Sequence, residues 1–248
     1  MLPSLNRTLK PEGEPVKILD HGSVQLIEHW GSDERIVESA RVSTQAGFVS
    51  WDPYEGHPKG DAALLSYLWK NKHSTPFEFA GITIEIQAPI VVYREWHRHR
   101  TQSYAEMSAR YMPLPDFNYI PTAERCMIVN GANRQANAAD SAEELTHEHA
   151  MAWLEMLAAY YEQGEQLYQQ GLRWGIPKEV ARLPIAVGRY SRMRATGNLR
   201  NWLAFLTLRS EHVASGKAAQ WEIRQFANQV GELIRALYPR TFALFVGS

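Results

Sequence analysis

The chain has 248 residues with 26 Lys+Arg against 27 Asp+Glu, a formal charge of −1. That balance excludes a globally basic nucleic-acid coat and an acidic solvating tail. A content of 45% hydrophobic and 21% charged residues excludes wholesale disorder. The single cysteine, Cys126, excludes an intramolecular disulfide framework and a cysteine-rich zinc site. No apolar run approaches 18 residues, and the opening MLPSLNRTLKPEGEPVK has no apolar stretch before a cleavage site. A soluble, cytoplasmic protein that binds neither nucleic acid nor membrane is expected.

Residues 1–16 are Pro-rich and polar and read as a flexible N-terminal arm, leaving 17–248 as one domain. Leu64, Leu65 and Leu68 after Asp61 have helical spacing. Ile82, Ile84 and Ile86 alternate with polar residues, as in a half-buried strand. Pro89 suits the first turn of a helix running through Tyr93 and Trp96 toward His99. Pro113 and Pro115 demand a loop. Ser141-Ala-Glu-Glu predicts a capping box for a long helix. Leu145, Trp153, Met156, Tyr160 and Leu167 form its apolar stripe, and Gly171 ends it. A short helix over Lys178–Arg182, a strand over Ile185–Met193 and a helix from an Asn198 cap to Leu208 follow. A last amphipathic helix is expected from about Ala218 to Leu237, stopping at Pro239. The sum is an α+β fold, helix-rich, with a small mixed or antiparallel sheet.

The cations are 19 Arg and 7 Lys. A GC-rich coding sequence explains that ratio as well as bidentate anion contact does, so placement must decide. Residues 94–111 pack four Arg, two His and two Glu into 18 positions. From Arg182 to Arg209 six arginines (Arg182, Arg189, Arg192, Arg194, Arg200, Arg209) run with no Asp, Glu or Lys among them. Such a cluster is easier to explain with an anion among the guanidinium groups. His97 and His99 at i and i+2 do not share a helix face, so no metal site is read there. Walker, Gly-x-Gly-x-x-Gly and Gly-x-Ser-x-Gly motifs are absent, so a nucleotide would be held mainly by side chains.

Arg98-His99-Arg100 followed after seven residues by Ser108 resembles the motif of the flavin-dependent thymidylate synthases. His73-Ser-Thr-Pro-Phe-Glu78, Ala40-Arg-Val-Ser43, and Asn198 through Arg209 with Ala219-Gln-Trp-Glu-Ile223 resemble three further boxes of that family, in order, from about residue 40 to 245. The resemblance implies conversion of dUMP to dTMP with FAD as cofactor. Methylenetetrahydrofolate would be the one-carbon donor and NADPH the reductant, in a homotetramer whose sites are shared between chains. It also implies residue roles. Ser43, Thr75, Glu78, Arg98, His99, Arg100, Glu106, Asn198 and Arg200 would hold FAD. Glu95, Arg98, Glu106, Met107, Ser108, Ala109, Arg110, Arg182 and Arg209 would bind the nucleotide. Arg209 would polarise the uracil, Ser108 would orient it, His73 would lie near the folate and flavin rings, and Tyr111 is a candidate to stack beside it.

Several positions depart from the family pattern. Ala105 and Ala204 stand where Asn is expected, Glu95 where Gln is common, and Phe79 where a His closes its box. The Ser210–Ala219 link is longer than usual, so a flavin-contacting His of that link is either His212 or missing. Three rivals remain: the same scaffold acting on another pyrimidine nucleotide such as UMP, a nucleic-acid-binding module using the Arg run, and a relative without FAD.

Overall fold

The computed structural model describes residues 11–129, 131, 136–138 and 144–247. Among these residues, five strands form one antiparallel sheet in the order β1-β2-β3-β5-β4. They are β1 (Val16–Ile18), β2 (Gly22–Trp30), β3 (Gly81–Pro89), β4 (Ser103–Glu106) and β5 (Tyr190–Asn198). The helices are α1 (Asp33–Ala40), α2 (Ala62–Lys70), α3 (Ile90–Trp96), α4 (Ala123–Cys126), α5 (His147–Arg173), α6 (Lys178–Ala181), α7 (Leu199–Arg209), α8 (Trp221–Leu237) and α9 (Pro239–Val246). The fold is α+β, and none of its described helices is long and apolar enough to cross a membrane.

The period-2 pattern of β3 sorts the sheet into two faces. Ile82, Ile84 and Ile86 are fully buried, as are Met193 and Ala195 opposite them on β5. Against this face pack Trp96 of α3, Trp202 and Phe205 of α7, and Phe226 and Val230 of α8. The Trp96 and Phe205 rings stack 4.7 Å apart. Burying each such side chain contributes about 1.5–3 kcal/mol, which fixes α3 and α7 on the sheet. The opposite face carries Glu85, Arg192 and Arg194, with Arg194 paired to Glu85 across the ladder at 3.0 Å.

The expected helices at 62–70 and 90–96 form, and Asn198 caps α7 by accepting the Asn201 N–H at 3.0 Å. Five expectations need correction. The strand placed at Ile185–Met193 begins only at Tyr190. Arg189 before it is buried and paired with Asp116 and Glu165, so that stretch turns under the 115–119 loop. Residues 141–143 of the expected Ser141-Ala-Glu-Glu capping box lie outside the described residues, and α5 starts later, with the Thr146 side chain accepting the His149 N–H. The stripe of α5 does not face the core. Trp153, Met156, Tyr160 and Leu167 are 47–65% exposed, while the helix is buried through Ala150, Leu154, Tyr168 and Gly171. The helix expected to stop at Pro239 does end at Leu237, as α8, but it is not the last, and Pro239 has a second role. It opens α9, where its missing N–H is harmless, and the buried Asp33 carboxylate caps that helix by accepting the Arg240 and Thr241 N–H groups. Of the expected arm, residues 1–10 lie outside the described residues, and residue 16 already belongs to β1.

Candidate active site

Arg209 is the last residue of α7, and its side chain is largely buried. Its Nε donates to His99 Nε2 at 3.1 Å, and its Nη1 donates to Glu95 Oε2 at 2.8 Å. His99 follows α3 and rests edge-on against Phe205. Burial, and next the Arg209 charge, push its imidazole down to about 4. It is therefore neutral near pH 7 and free to accept from a guanidinium. Tyr104 donates to the His99 carbonyl at 2.7 Å and fixes the turn; burial raises its phenol to about 12. Glu95 and His99 thus hold the Arg209 fork from two sides and leave its Nη2 without a partner among the described residues.

Two cavities border α7. One, of about 450 Å³, is lined by Glu95 and Arg209 together with Arg125, Gln220, Trp221 and Arg224. Arg125 donates twice to Glu222, at 2.7 and 3.2 Å. Burial alone would raise the Glu222 carboxyl, but the hydrogen bonds and charge of Arg125, with Gln220, bring it below its ordinary value. Sequence reasoning missed Arg125 and Arg224, which lie in no family box. The other cavity, of about 560 Å³, has apolar walls from Leu68, Trp69, Phe77, Leu203 and Phe245, with His73 and Arg200 also lining it. Ala204 faces it where the family pattern would place an amide. Arg200 is paired with Glu78.

The remaining expected residues divide. Arg98 and Arg100 are exposed, without a carboxylate partner among the described residues. Ser43 and Thr75 are exposed on 3₁₀ turns and line neither cavity. Asn198 spends its side-chain oxygen on the α7 cap. Glu106 is exposed at the end of β4, and Met107, Ser108, Ala109 and Arg110 follow as a loop. The Met107 N–H donates to the Arg192 carbonyl at 2.8 Å. Ser108 Oγ accepts the Arg110 N–H at 3.3 Å, and no acidic or His side chain bonds it among the described residues. Arg110 pairs with Glu179 of α6 at 3.3 Å, and Lys178 donates to the Tyr111 carbonyl at 3.1 Å. Arg182 closes α6. This second group, Ser108, Arg110 and Arg182, shares no hydrogen bond, ion pair or described cavity with Arg209. The acid-free run is also less naked than its sequence. Arg189, Arg194, Arg200 and Arg209 all find carboxylates on other elements, and only Arg182 and Arg192 have none among the described residues.

A family profile described as "Thymidylate synthase complementing protein" matches residues 25–240. A flavin-dependent thymidylate synthase of Anaplasma marginale (strain St. Maries) is 35% identical over 94% of this chain and 75% of its own length. One of Thermosipho africanus (strain TCF52B) is 33% identical over 93% of each. Among solved structures, the UMP/dUMP methylase PolB of Streptomyces cacaoi bound with 5-Br dUMP is similar, with a TM-score of 0.76 and 32% identity. That match covers 94% of this chain and 97% of that one. The same methylase bound with 5-Br UMP matches with a TM-score of 0.76 at 29% identity, covering 94% and 96%. The profile spans every box in which the sequence resemblance was found, and so the chain belongs to the thymidylate synthase complementing protein family, the enzymes named flavin-dependent thymidylate synthases.

Proposed function

We propose that the protein methylates dUMP at C5 to dTMP, with FAD as cofactor, 5,10-methylenetetrahydrofolate as carbon donor and NADPH as reductant. The observation that carries this reading is the clamped Arg209, which lines the polar cavity and whose Nη2 has no partner among the described residues. A partly desolvated guanidinium held on two sides is preorganised to donate to a uracil carbonyl as negative charge grows on the ring. Such a donor favours loss of the N3 proton and makes C5 nucleophilic. Ser108 orients the base, and Arg110 and Arg182 take its phosphate.

The apolar cavity fits a flavin. Its volume lies within the usual range for cofactor pockets, about 300–1,000 Å³, and its lining pairs aromatic walls with the His73 and Arg200 side chains. When bound there, a flavin supplies hydride chemistry, and nearby cations stabilise its reduced, anionic form. Arg98 and Arg100 are exposed cations suited to phosphates.

The site is completed by a second copy of the chain. Among the described residues, Ser108, Arg110 and Arg182 share no hydrogen bond, ion pair or cavity with Arg209, which suits a site that takes one group from each chain. The exposed positions Trp153, Met156, Tyr160 and Leu167 have the 3–4–7 spacing of a helix seam. Both observations support self-association, and the assembly proposed is a homotetramer.

The test is a purified protein that shows a flavin absorbance spectrum and forms dTMP from dUMP with the folate and NADPH, resolved by chromatography. A colourless protein that takes up no added FAD and forms no dTMP refutes it. A second reading, UMP as substrate, is favoured by the solved relative's name as a UMP/dUMP methylase. UMP in the same assay decides it.

A further inference from the structure

The Ser210–Ala219 link, expected to be long, is bound down at three places. Ser215 Oγ donates to the Thr207 carbonyl at 2.6 Å. Glu211 accepts from Arg224 Nη1 at 2.6 Å and from Asn228 Nδ2 at 3.0 Å. The third tie is His212. Its Nδ1 lies 2.6 Å from Ser210 Oγ, and its Nε2 lies 3.0 Å from Glu232 Oε1 on α8. The His212 N–H also donates to Ser210 Oγ at 3.0 Å.

Ser210, His212 and Glu232 have the composition of a hydrolase relay, but Ser210 is fully buried and no substrate reaches it. The ring sits edge-on to Phe242 of α9, with centroids 5.2 Å apart. It also lies on Gly231 of α8, where an added Cβ would come within 2.5 Å of the His212 ring. The glycine is the seat of the imidazole. Both ring nitrogens are engaged by the protein, and His212 lines neither cavity.

What the link does follows from its position. Val213, Ala214 and Ser215 line the apolar cavity, and Ala218 and Gln220 line the polar one. One short segment walls both. We propose that His212 is a positioning residue that locks this wall against α8, so that releasing it weakens ligand binding in the apolar cavity without unfolding the protein. The ligand half of this proposal rests on the functional reading above, with FAD as the ligand. The locking half does not.

The experiment uses the full chain as the His212→Ala, Gly231→Ala and doubly substituted proteins. Lys217 is exposed in the link, so trypsin cleavage after Lys217, followed by mass spectrometry, reports its release. The tie is half-buried, and losing it lets the link open more often. Cleavage that tracks the open population should then rise about tenfold or more, relative to cleavage at other sites. FAD affinity, read by absorbance titration, should fall by a similar factor. Gly231→Ala should do the same alone, yet add nothing to His212→Ala, because the clash needs the ring. The proposal is overturned if Lys217 cleavage is unchanged in His212→Ala, if cleavage rises while FAD affinity does not fall, or if the two substitutions are additive. If the wild-type protein takes up no FAD, the functional reading fails, and the cleavage arm alone then decides the lock.

Discussion

Replacing Arg209 separates a catalytic donor from a helix-end cation. Arg209→Ala removes the guanidinium held by His99 and Glu95. If that group stabilises charge on the uracil, its loss costs about 100- to 1,000-fold in turnover, or roughly 2.7–4 kcal/mol. Arg209→Lys discriminates further. A single Nζ cannot donate to His99 and Glu95 and also reach a substrate carbonyl, so turnover should stay near that of the alanine variant. An independent signal checks the geometry. His99 is held down at about 4 by burial and then by the Arg209 charge, so Arg209→Ala should move its titration, followed by NMR, upward toward 6.5. The assay is dTMP formation with the flavin spectrum recorded in parallel, and the flavin should remain bound. Near-wild-type turnover in Arg209→Lys would refute the reasoning and leave Arg209 as a cation favourably placed at the C-terminus of α7.

Ser108→Ala should weaken turnover yet leave measurable activity, because no base bonds the hydroxyl among the described residues; a covalent pyrimidine adduct on Ser108, sought by mass spectrometry during turnover, would overturn this. Leu167→Glu on the exposed α5 stripe should shift light scattering toward smaller species and lower flavin retention with it, while an unchanged tetramer would place the interface elsewhere. Asp61 is fully buried, bonded by Arg41, Tyr54 and the Val49 N–H. Burial would raise its carboxyl, but those bonds hold it below the ordinary carboxylate range. Its contribution is therefore present above that range and lost as pH falls through the lower folded value. Asp61→Ala should cost about 3–5 kcal/mol near neutral pH by stranding Arg41, and a much smaller shift in denaturant midpoint would mean the pair is solvated.

The sequence by itself determined the local elements and the residue types of the site. Alternation at Ile82, Ile84 and Ile86 settles the central strand, because a one-residue slip would expose all three. The Asn198 cap and the position of Pro89 settle helix starts, because orphan N–H groups have few local solutions. Local signals do not say which face meets the core. The stripe of α5 is the case in point. Its large apolar residues read as the buried face, yet tertiary packing takes the small ones and leaves Met156 and Leu167 outside. The same holds for charge. Between Arg182 and Arg209 no acid appears in sequence, yet Glu78, Glu85, Glu95 and Glu165 reach four of those arginines from distant elements. Ion pairs form through space, across sequence separations of 24 to 122 residues. Only the fold could also reveal that His212 faces Gly231 and that Arg125 shares a cavity with Arg209. Motif order lists the parts of a site, whereas their distances are set by how helices pack on the sheet.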